Sequence, residues 1–428
     1  MDRPLRFCMI TAFYPPYNFG GDGVYVHRLS NELARRGHHV EVIHCKDAYR
    51  LFADEEPPGT YQDHPNVTVH GLESPLGFLS PLLTHQTGLP LLKTRKMRAI
   101  LDKGFDVIHF HTVSLIGGPG VLRYGQGIKL YTTHDHWWVC QSRELYRFNR
   151  AVCAESRYCA LCNLMRRRPP QLWRYTGLLQ SGARHVDAFI APSRFTQQMH
   201  RERGLDARIV HLPYFVPAGD SSPPDLSNPA GSDGRPYFLF VGRLFKIKGL
   251  QTIIPIFRRY DKAQLLVAGT GRDEDELHRL AANHPNIRFL GQQSQQELQN
   301  LYRHAVALIA PSITYEVAGV VIIEAFERQT PAIVRDLGGM PEHVRESGGG
   351  FVYDTEDELI AAMDKLLARP ALRRELGQKA YQAYQRLWTP EAHVERYLEL
   401  IRDIADRKAS RGGAITGAAP QPGSDAGR

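Results

Sequence analysis

The sequence lacks a long uninterrupted run of apolar residues. Among its 428 residues the nearest approach is segment 306–326, which is broken by Ser312, Thr314, Tyr315 and Glu316. A membrane-spanning helix needs roughly 20 consecutive apolar residues, so no such helix is predicted. The amino terminus leads directly into a strand-like run and not into the apolar core of a signal peptide. These two features predict a cytoplasmic protein.

Cysteine is also sparse, with six residues in the whole chain. Cys8 and Cys45 lie in strand-like apolar runs, where we expect buried thiols. The remaining four fall in a cysteine-rich insert of residues 140–162: Cys140, Cys153, Cys159 and Cys162. The two-residue spacing between the last pair is that of a zinc knuckle, and four thiolates would complete a structural zinc site. Unliganded thiols and a redox role stay open as alternatives.

The chain contains no recognisable nucleic-acid-binding module, although 53 basic against 45 acidic residues give it a net charge of +8. This charge suits an anionic partner, and nucleic acid is not predicted to be one. Arg166, Arg167 and Arg168 precede segment 172–175, in which Trp173 is a candidate interfacial aromatic residue. The combination favours peripheral contact with an anionic membrane surface. A solvated basic loop is the alternative.

What the sequence does have is a twofold alternation of strand-like and helix-like segments. With 43% hydrophobic and 23% charged residues, the chain is long enough for two soluble domains with full cores. The first half begins with strand 6–12, helix 24–36 and strand 39–45, a βαβ unit. Further strands are predicted at residues 106–110, 129–132 and 188–190. This pattern predicts a parallel, doubly wound α/β sheet.

A second alternating series follows a segment rich in proline, serine and glycine at residues 218–235, which predicts a linker. The predicted strands are 237–241, 264–268, 287–290, 307–310 and 332–334. We therefore expect two Rossmann-like domains that face a cleft, at residues 1–217 and 236–388. After them, residues 389–408 have helical apolar spacing, and the glycine-rich tail 409–428 is predicted to be disordered.

Two glutamates, Glu316 and Glu324, flank a glycine and an apolar run near the end of the second series. A strand that ends at Ala310 delivers Glu316 into a loop. Gly319 then permits close backbone approach before the first buried turns of a helix. Free amides at a helix start attract phosphate, and a carboxylate before them can accept hydrogen bonds from sugar hydroxyls. A nucleotide sugar offers both groups.

Arg243 and Lys248 follow the first strand of the second half, at the carboxyl edge of the predicted sheet. Two cations there suit a departing diphosphate. As the bond to phosphate breaks, negative charge grows on the leaving oxygen, and fixed cations stabilise this state more than the ground state. They would do what a divalent metal does in other enzymes, so no catalytic metal is predicted. Solvated basic residues are the alternative.

The order and spacing of these residues resemble retaining GT-B glycosyltransferases of family 4. The glutamates match the family's E-x7-E element, and residues 242–249, with four residues between Arg243 and Lys248, closely resemble its G-R-x5-K-G element. The resemblance implies the GT-B architecture, with a terminal helix that crosses back to the first domain. It also implies transfer of a sugar from a UDP- or GDP-sugar to a glycan or lipid-linked acceptor. By the same resemblance, Glu316 holds the donor's hydroxyls, Glu324 the ribose, and both cations the diphosphate.

The resemblance also assigns glycines and histidines. It places Gly20 and Gly21, after the first strand, beside the donor diphosphate, and Gly269 and Gly271 in the nucleotide pocket. A tight turn is the alternative at Gly20. Histidines occupy two strand-end segments that should face the cleft, and the resemblance makes His134 the first candidate to touch sugar or acceptor. His111 is the second candidate, and His136 is placed on the acceptor side. A structural role is the alternative for any one of these histidines.

Other functions are compatible with parts of this pattern. A GT-B epimerase or phosphorylase would use a related pocket with water or phosphate as acceptor. A scaffold that binds nucleotide sugar without catalysis is a third possibility, against which the intact set Arg243, Lys248, Glu316 and Glu324 argues. Asp273 and Asp275 form a loose D-x-D pattern, but acidic residues are favoured at a helix start for electrostatic reasons alone.

Overall fold

The computed structural model describes residues 3–53, 55–57, 59, 61–219 and 234–415, with residues 411–415 described by their backbone alone. Most of the predicted linker, residues 220–233, lies outside the described residues. Residues 416–428 of the predicted tail also lie outside them. The description therefore covers both predicted domains and the helix that follows them.

The first domain is built on a parallel sheet. Its strands, with a short hairpin (β6 and β7) in the cysteine-rich insert, are β1 (Arg6–Ile10), β2 (His39–Cys45), β3 (Val67–Leu72), β4 (Val107–Phe110), β5 (Ile128–Thr132), β6 (Tyr146–Arg147), β7 (Ala151–Val152), β8 (Ala188–Ala191) and β9 (Ile209–His211). Within the described residues the sheet has seven strands in the order β3-β2-β1-β4-β5-β8-β9. In this sheet Met9 of β1 pairs with Val42 of β2 on one side and with His109 of β4 on the other.

Helices cover the first sheet on both faces. They are α1 (Gly21–Arg35), α2 (Lys46–Arg50), α3 (Leu79–Thr87), α4 (Thr94–Leu101), α5 (Cys159–Met165), α6 (Leu178–Ala183) and α7 (Arg194–Glu202), with 3-10 turns at Leu91–Lys93, Pro119–Arg123 and Leu172–Tyr175. Strands β4, β5 and β8 are buried along their whole length, as expected for central strands of a parallel sheet with helices on both faces.

The second domain repeats this plan. Its strands are β10 (Tyr237–Val241), β11 (Gln264–Ala268), β12 (Ile287–Gly291), β13 (Ala307–Ala310), β14 (Ala332–Arg335) and β15 (Gly350–Tyr353). Its helices are α8 (Leu250–Phe257), α9 (Glu274–Ala281), α10 (Gln295–His304), α11 (Val320–Glu327), α12 (Met340–Ser347), α13 (Glu356–Ala368) and α14 (Pro370–Leu387), with a 3-10 turn at Lys246–Lys248. The parallel sheet, as far as it is described, runs β12-β11-β10-β13-β14-β15. Two Rossmann-like domains are therefore confirmed.

The last helix, α15 (Pro390–Ile415), packs against the first domain. The hydroxyl of Tyr397 is 2.9 Å from Nδ1 of His109, and that of Tyr25 is 2.9 Å from Nε2 of His393. The helix continues past Ala409 to Ile415, so the first residues of the predicted tail are helical in this structure. None of the described helices is long and apolar enough to cross a membrane.

Candidate active site

Lys248 and Glu316 form an ion pair at the carboxyl edge of the second sheet. The Nζ atom of Lys248 is 2.7 Å from Oε1 of Glu316, and the Ser312 hydroxyl donates to the same oxygen over 3.1 Å. Burial alone would raise the pKa of Glu316. Lys248, the Ser312 hydroxyl and the nearby Arg243 guanidinium outweigh this effect and lower the pKa. The site therefore holds an ionised carboxylate beside two cations.

Glycines set the backbone that carries Arg243. Gly269 has a φ of +134°, and a Cβ there would lie 2.0 Å from the carbonyl oxygen of Gly242. A Cβ on Gly271 would lie 2.6 Å from the carbonyl oxygen of Leu244. Only glycine allows the two turns to pack this closely. The predicted pocket glycines thus have a defined structural effect, which is to hold the Arg243 turn against the end of β11.

An aspartate fixes the turn that carries Lys248. Oδ2 of Asp273 accepts a hydrogen bond of 2.6 Å from the backbone amide of Lys246, at the start of the 3-10 turn. Asp273 itself directly precedes α9. The first residue of the D-x-D pattern is thus committed to the backbone, in agreement with its expected structural role.

The Glu316 loop packs against a second glycine turn. The amide of Gly339 donates to the carbonyl oxygen of Glu316 over 2.8 Å, and a Cβ on Gly338 would lie 2.7 Å from the Glu316 nitrogen. Gly319, with a φ of +87°, caps α11, and a Cβ there would lie 2.8 Å from Cγ of Met340. Close packing between these loops fixes the position of the carboxylate.

The first domain brings Gly20 to the opposite wall of the cleft. A Cβ on Gly20 would lie 4.0 Å from the guanidinium carbon of Arg243, whereas one on Gly21 would meet nothing within 4 Å. Helix α1 begins at Gly21, and Asp22 in its first turn accepts a hydrogen bond of 2.9 Å from the Thr112 hydroxyl. Asp22 is a cleft carboxylate that sequence reasoning missed, although it directly follows the assigned Gly21.

Glu324 contacts the first domain. Its Oε1 is 3.4 Å from the Arg28 guanidinium on α1, and its Oε2 accepts from the Tyr302 hydroxyl over 3.2 Å. Arg28 was also missed, because nothing in the spacing of α1 marks this half-buried arginine as a partner for a residue almost 300 positions away. Glu324, the residue predicted to bind the ribose, is therefore held by one partner from each domain.

Several further hydrogen bonds join the two domains around this site. The Nε2–H group of His136 donates to the carbonyl oxygen of Tyr315 over 3.0 Å, next to Glu316. The hydroxyls of Ser193 and Thr196 donate to the carbonyl oxygen of Val317. Glu342 accepts the first two amides of α7 from across the cleft. The bonds from His136, Ser193 and Thr196 thus all reach the loop that carries Glu316, and the bonds of Glu342 join α12 to α7.

The two foremost histidine candidates bond to each other. Nε2 of His134 lies 2.9 Å from Nδ1 of His111, and Nδ1 of His134 lies 2.7 Å from the Tyr214 hydroxyl. Burial lowers the pKa of His134 to about 4, although the charge of Asp22 opposes the shift. Nε2 of His111 is buried and has no hydrogen-bond partner among the described residues. Both rings are therefore neutral, and a contact of His134 with sugar stays a prediction.

The cysteine-rich insert holds its four thiols near one another. Burial and the proximity of Cys140, Cys153 and Cys162 raise the pKa of Cys159. The Cys153 thiol donates to the carbonyl oxygen of Glu155, and Cys162 Sγ accepts from the Phe148 amide over 3.2 Å. Within the described part of the chain, no three histidine, cysteine or acidic side chains are arranged to hold a metal ion.

A zinc site at these thiols stays a prediction. It would require the cysteine side chains to turn toward a common point and to lose their protons. Elemental analysis of protein purified without added metal tests it directly. One zinc per chain that is lost in Cys159→Ser/Cys162→Ser would support the site, and zinc-free protein with reactive thiols would contradict it.

The basic aromatic segment differs from its predicted arrangement. Trp173 is 7% exposed, and its Nε1 donates to the carbonyl oxygen of His85 over 2.8 Å, so it is a core residue and not an interfacial one. The Arg166 side chain is 6% exposed and is paired with Glu144. The exposed apolar residues of this region are instead Leu172 and Tyr175.

Two facing Rossmann-like domains, with a carboxylate and two cations at the edge of the cleft, define a GT-B glycosyltransferase. The sequence model of Glycosyltransferase Family 4 matches residues 19–218, and that of glycosyl transferases group 1 matches residues 225–383. The chain belongs to the family 4, group 1 glycosyltransferases and is an enzyme of that type.

Relatives with known names support this assignment. Alpha-maltose-1-phosphate synthase of Mycolicibacterium smegmatis is 25% identical over 94% of this chain and 100% of its own length. Glycogen synthase of Mycobacterium tuberculosis is 26% identical over 88% of this chain and 90% of its own length.

Solved structures share the fold. Sucrose-phosphate synthase from Thermosynechococcus elongatus superposes with a TM-score of 0.72 at 20% identity, over 94% of this chain and 100% of that one. The Anabaena protein HepE, solved in complex with UDP and glucose, has a TM-score of 0.64 at 15% identity, over 93% of this chain and 100% of that one.

Proposed function

We propose that the chain transfers a hexose from a UDP- or GDP-sugar to a glycan or lipid-linked acceptor, with retention of the anomeric configuration. The observation that carries the proposal is the Lys248–Glu316 pair beside Arg243, directly across the cleft from Gly20. A cationic site next to an ionised carboxylate suits a ligand that combines diphosphate with sugar hydroxyls. The UDP and glucose complex of the HepE structure is consistent with such a donor.

In this reaction the bond between the anomeric carbon and the donor's phosphate oxygen breaks, and a bond from that carbon to an acceptor hydroxyl forms. The acceptor's proton goes to the leaving phosphate oxygen on the same face of the sugar, so no side chain has to act as base. Arg243 and Lys248 neutralise the charge that develops on the diphosphate. Glu316 orients the donor by accepting hydrogen bonds from its hydroxyls.

The charges of Arg243 and Lys248 also bear on whether the reaction needs a divalent metal. Two fixed cations supply the electrostatic stabilisation that a divalent ion gives in other transferases. We therefore expect transfer to continue in the presence of EDTA. Asp273, the first residue of the D-x-D pattern, uses its Oδ2 to accept the Lys246 amide, which supports this expectation.

A thermal-shift screen tests the donor class. A ligand that binds only the folded protein stabilises it by about 2.7 kcal/mol at 100 times its Kd. We expect a UDP- or GDP-sugar to raise the melting temperature of the wild-type protein by several degrees, and Arg243→Ala to abolish the shift. An ADP-sugar serves as the comparison. The donor assignment is overturned if no nucleotide sugar shifts the transition, or if the ADP-sugar alone does.

The configuration of the product tests retention separately. The donor identified by the screen is incubated with a simple glycan acceptor, and the anomeric proton of the new linkage is examined by NMR. The expected product keeps the configuration of the donor. An inverted product would contradict the proposed same-face path, because that outcome requires attack from the opposite side with a side-chain base.

A further inference from the structure

Large apolar side chains are exposed on one side of the first domain. They fall in two stretches of the chain: Leu76 (50%), Phe78 (57%), Leu79 (43%), Leu83 (39%), Leu91 (41%) and Leu92 (44%), and then Tyr158 (67%), Leu161 (49%), Leu164 (63%), Met165 (57%), Leu172 (63%) and Tyr175 (66%). Among the described residues, the second domain has no large apolar side chain of comparable exposure. Contiguous exposure on this scale marks an interaction surface.

The two stretches form one surface, which we call the docking face. Helix α3 contacts the 3-10 turn Leu172–Tyr175, and His85 on α3 accepts the hydrogen bond from Trp173. Gln141 links α5 to the same turn, because its Oε1 accepts from both Asn163 and the Gln171 amide at 3.2 Å. The elements that carry the exposed residues, α3, α5 and the turn, therefore adjoin one another.

The two chain segments that carry this face are strongly basic in sequence. Residues 74–101 and 156–186, which contain every member of the face, hold ten lysines and arginines and no aspartate or glutamate. Of these ten, Lys93 is buried, and three arginines pair with carboxylates outside the two segments: Arg157 with Glu155, and Arg166 and Arg168 with Glu144. Since the chain's net charge is +8, the remainder carries slightly more acidic than basic residues. Arg95, Lys96, Arg98 and Arg167 are exposed at the edge of the face.

From this combination we infer that the docking face binds the surface of an anionic lipid bilayer. The leucine, methionine and aromatic tips enter the headgroup region, and the surrounding cations contact lipid phosphates. The exposed cations beside the apolar side chains favour an anionic lipid surface as the partner, because lipid phosphates offer negative charge across the whole face. This differs from the arrangement predicted from sequence, because Trp173 and Arg166 take no part in it.

The face is directly connected to the cleft. The guanidinium of Arg174 lies over the rings of Trp137 and Trp173, at 5.0 and 5.2 Å. Trp137 follows His136, which bonds to the Glu316 loop. If the proposed transfer is correct, a bilayer bound at this face would present a lipid-linked acceptor to the first-domain side of the cleft. Binding to lipid itself does not depend on that function.

Vesicle co-sedimentation of the full chain tests the inference. Wild-type protein is mixed with vesicles of phosphatidylcholine alone, or of equal parts phosphatidylcholine and phosphatidylglycerol. We expect strong binding to the anionic vesicles only. The variants Leu164→Ser/Leu172→Ser and Arg95→Glu/Arg167→Glu should each lower the bound fraction about tenfold or more, since each exposed cation and apolar side chain contributes to binding.

Matched controls separate the face from general effects. Phe52→Ser removes a side chain as exposed as Leu164, at 63%, outside the face. Arg279→Glu/Arg374→Glu makes the same charge change on exposed residues of the second domain. Both controls should bind vesicles like the wild type, and all four variants should keep their thermal shift with nucleotide sugar.

Three results would overturn the inference. Wild-type protein that stays in the supernatant with both vesicles would do so, as would equal losses in the control and face variants. A change in solution mass of the face variants without vesicle binding would assign the face to protein association instead. Vesicle binding without any nucleotide-sugar shift would leave the docking face standing and remove the proposed transferase function.

Discussion

Replacement of Lys248 by alanine is expected to lower kcat by about 10²- to 10³-fold, with a much smaller change in KM. Removal of one preorganised charge-stabilising group from an active site typically costs about 3–4 kcal/mol in the transition state. Lys248 lies 2.7 Å from Glu316 at the cleft. The negative charge that it faces is largest as the diphosphate departs, so the loss falls on the chemical step.

Lys246 provides the control. It lies in the same 3-10 turn, carries the same charge and is exposed, while its contacts to Asp273 and Gln251 are made by backbone atoms. We therefore expect Lys246→Ala to keep kcat within a fewfold of the wild type. Equal losses in Lys246→Ala and Lys248→Ala would show that net charge is responsible, and the assigned role of Lys248 would then be wrong.

The Lys248–Glu316 ion pair also predicts that the effects of substituting its two members are not additive. Lys248→Ala leaves the Glu316 carboxylate without its cation, and Glu316→Gln leaves the ammonium without its anion. Residues in contact couple by about 0.5–3 kcal/mol in double-mutant cycles. The double variant should therefore lose less activity than the product of the two single losses. Unchanged transfer in Glu316→Gln and Glu316→Ala would contradict the proposed contact with the donor.

The convergence of Arg243, Lys248 and Glu316 was predictable because each follows a strand of one parallel sheet. The carboxyl ends of parallel strands lie at one edge, so strand-to-helix turns place their side chains together. This prediction needed only the order of strands and turns along the chain and no knowledge of distant contacts. It also gave the correct number of domains, since each half alternates strand and helix.

Three of the four edge strands were missed, for a physical reason. Strands β3, β9 and β15 all lie at the ends of their sheets, where one side has no neighbouring strand. They are short or carry exposed positions, such as Thr68 and Val69 in β3. An edge strand therefore lacks the continuous apolar run that identifies a central one.

Contacts between distant parts of the chain could not be predicted either. Arg28 meets Glu324, and Trp173 meets His85, across large separations in the chain. Trp173 was expected at an interface because it is flanked by charge, but its indole N–H found a buried backbone acceptor instead. Such pairs depend on how whole elements pack, which local spacing does not contain.

Acidification from pH 7.5 to about 5.5 is expected to bring the protein close to unfolding. Its interior holds a set of histidines that are each at most 3% exposed: His44, His109, His111, His136, His200, His343 and His393. Burial is the main cause that lowers the pKa of every one of them, to about 3 for His136 and His393 and about 4 for His44, His200 and His343. All seven are therefore neutral in the folded protein.

The sign of the effect follows from these lowered values. An unfolded histidine has a pKa of about 6.5, so below this pH the unfolded chain binds more protons than the folded one. The free energy of unfolding is therefore highest above pH 6.5 and decreases as the pH falls toward the pKa values of the folded protein. One pH unit below 6.5, each group costs about 1.4 kcal/mol, or about 10 kcal/mol for seven. The free energy of unfolding of a typical domain is only about 5–15 kcal/mol.

Urea unfolding at a series of pH values measures this linkage. The free energy of unfolding should fall steeply below pH 6.5, with a slope that corresponds to several protons taken up on unfolding. His44→Gln removes one buried histidine and should reduce the slope by about one proton. His39→Gln, on the same strand but exposed, should leave it unchanged. A free energy of unfolding at pH 5.5 within about 2 kcal/mol of that at pH 7.5 would contradict the prediction, because the seven rings would then have to accept protons without leaving the core.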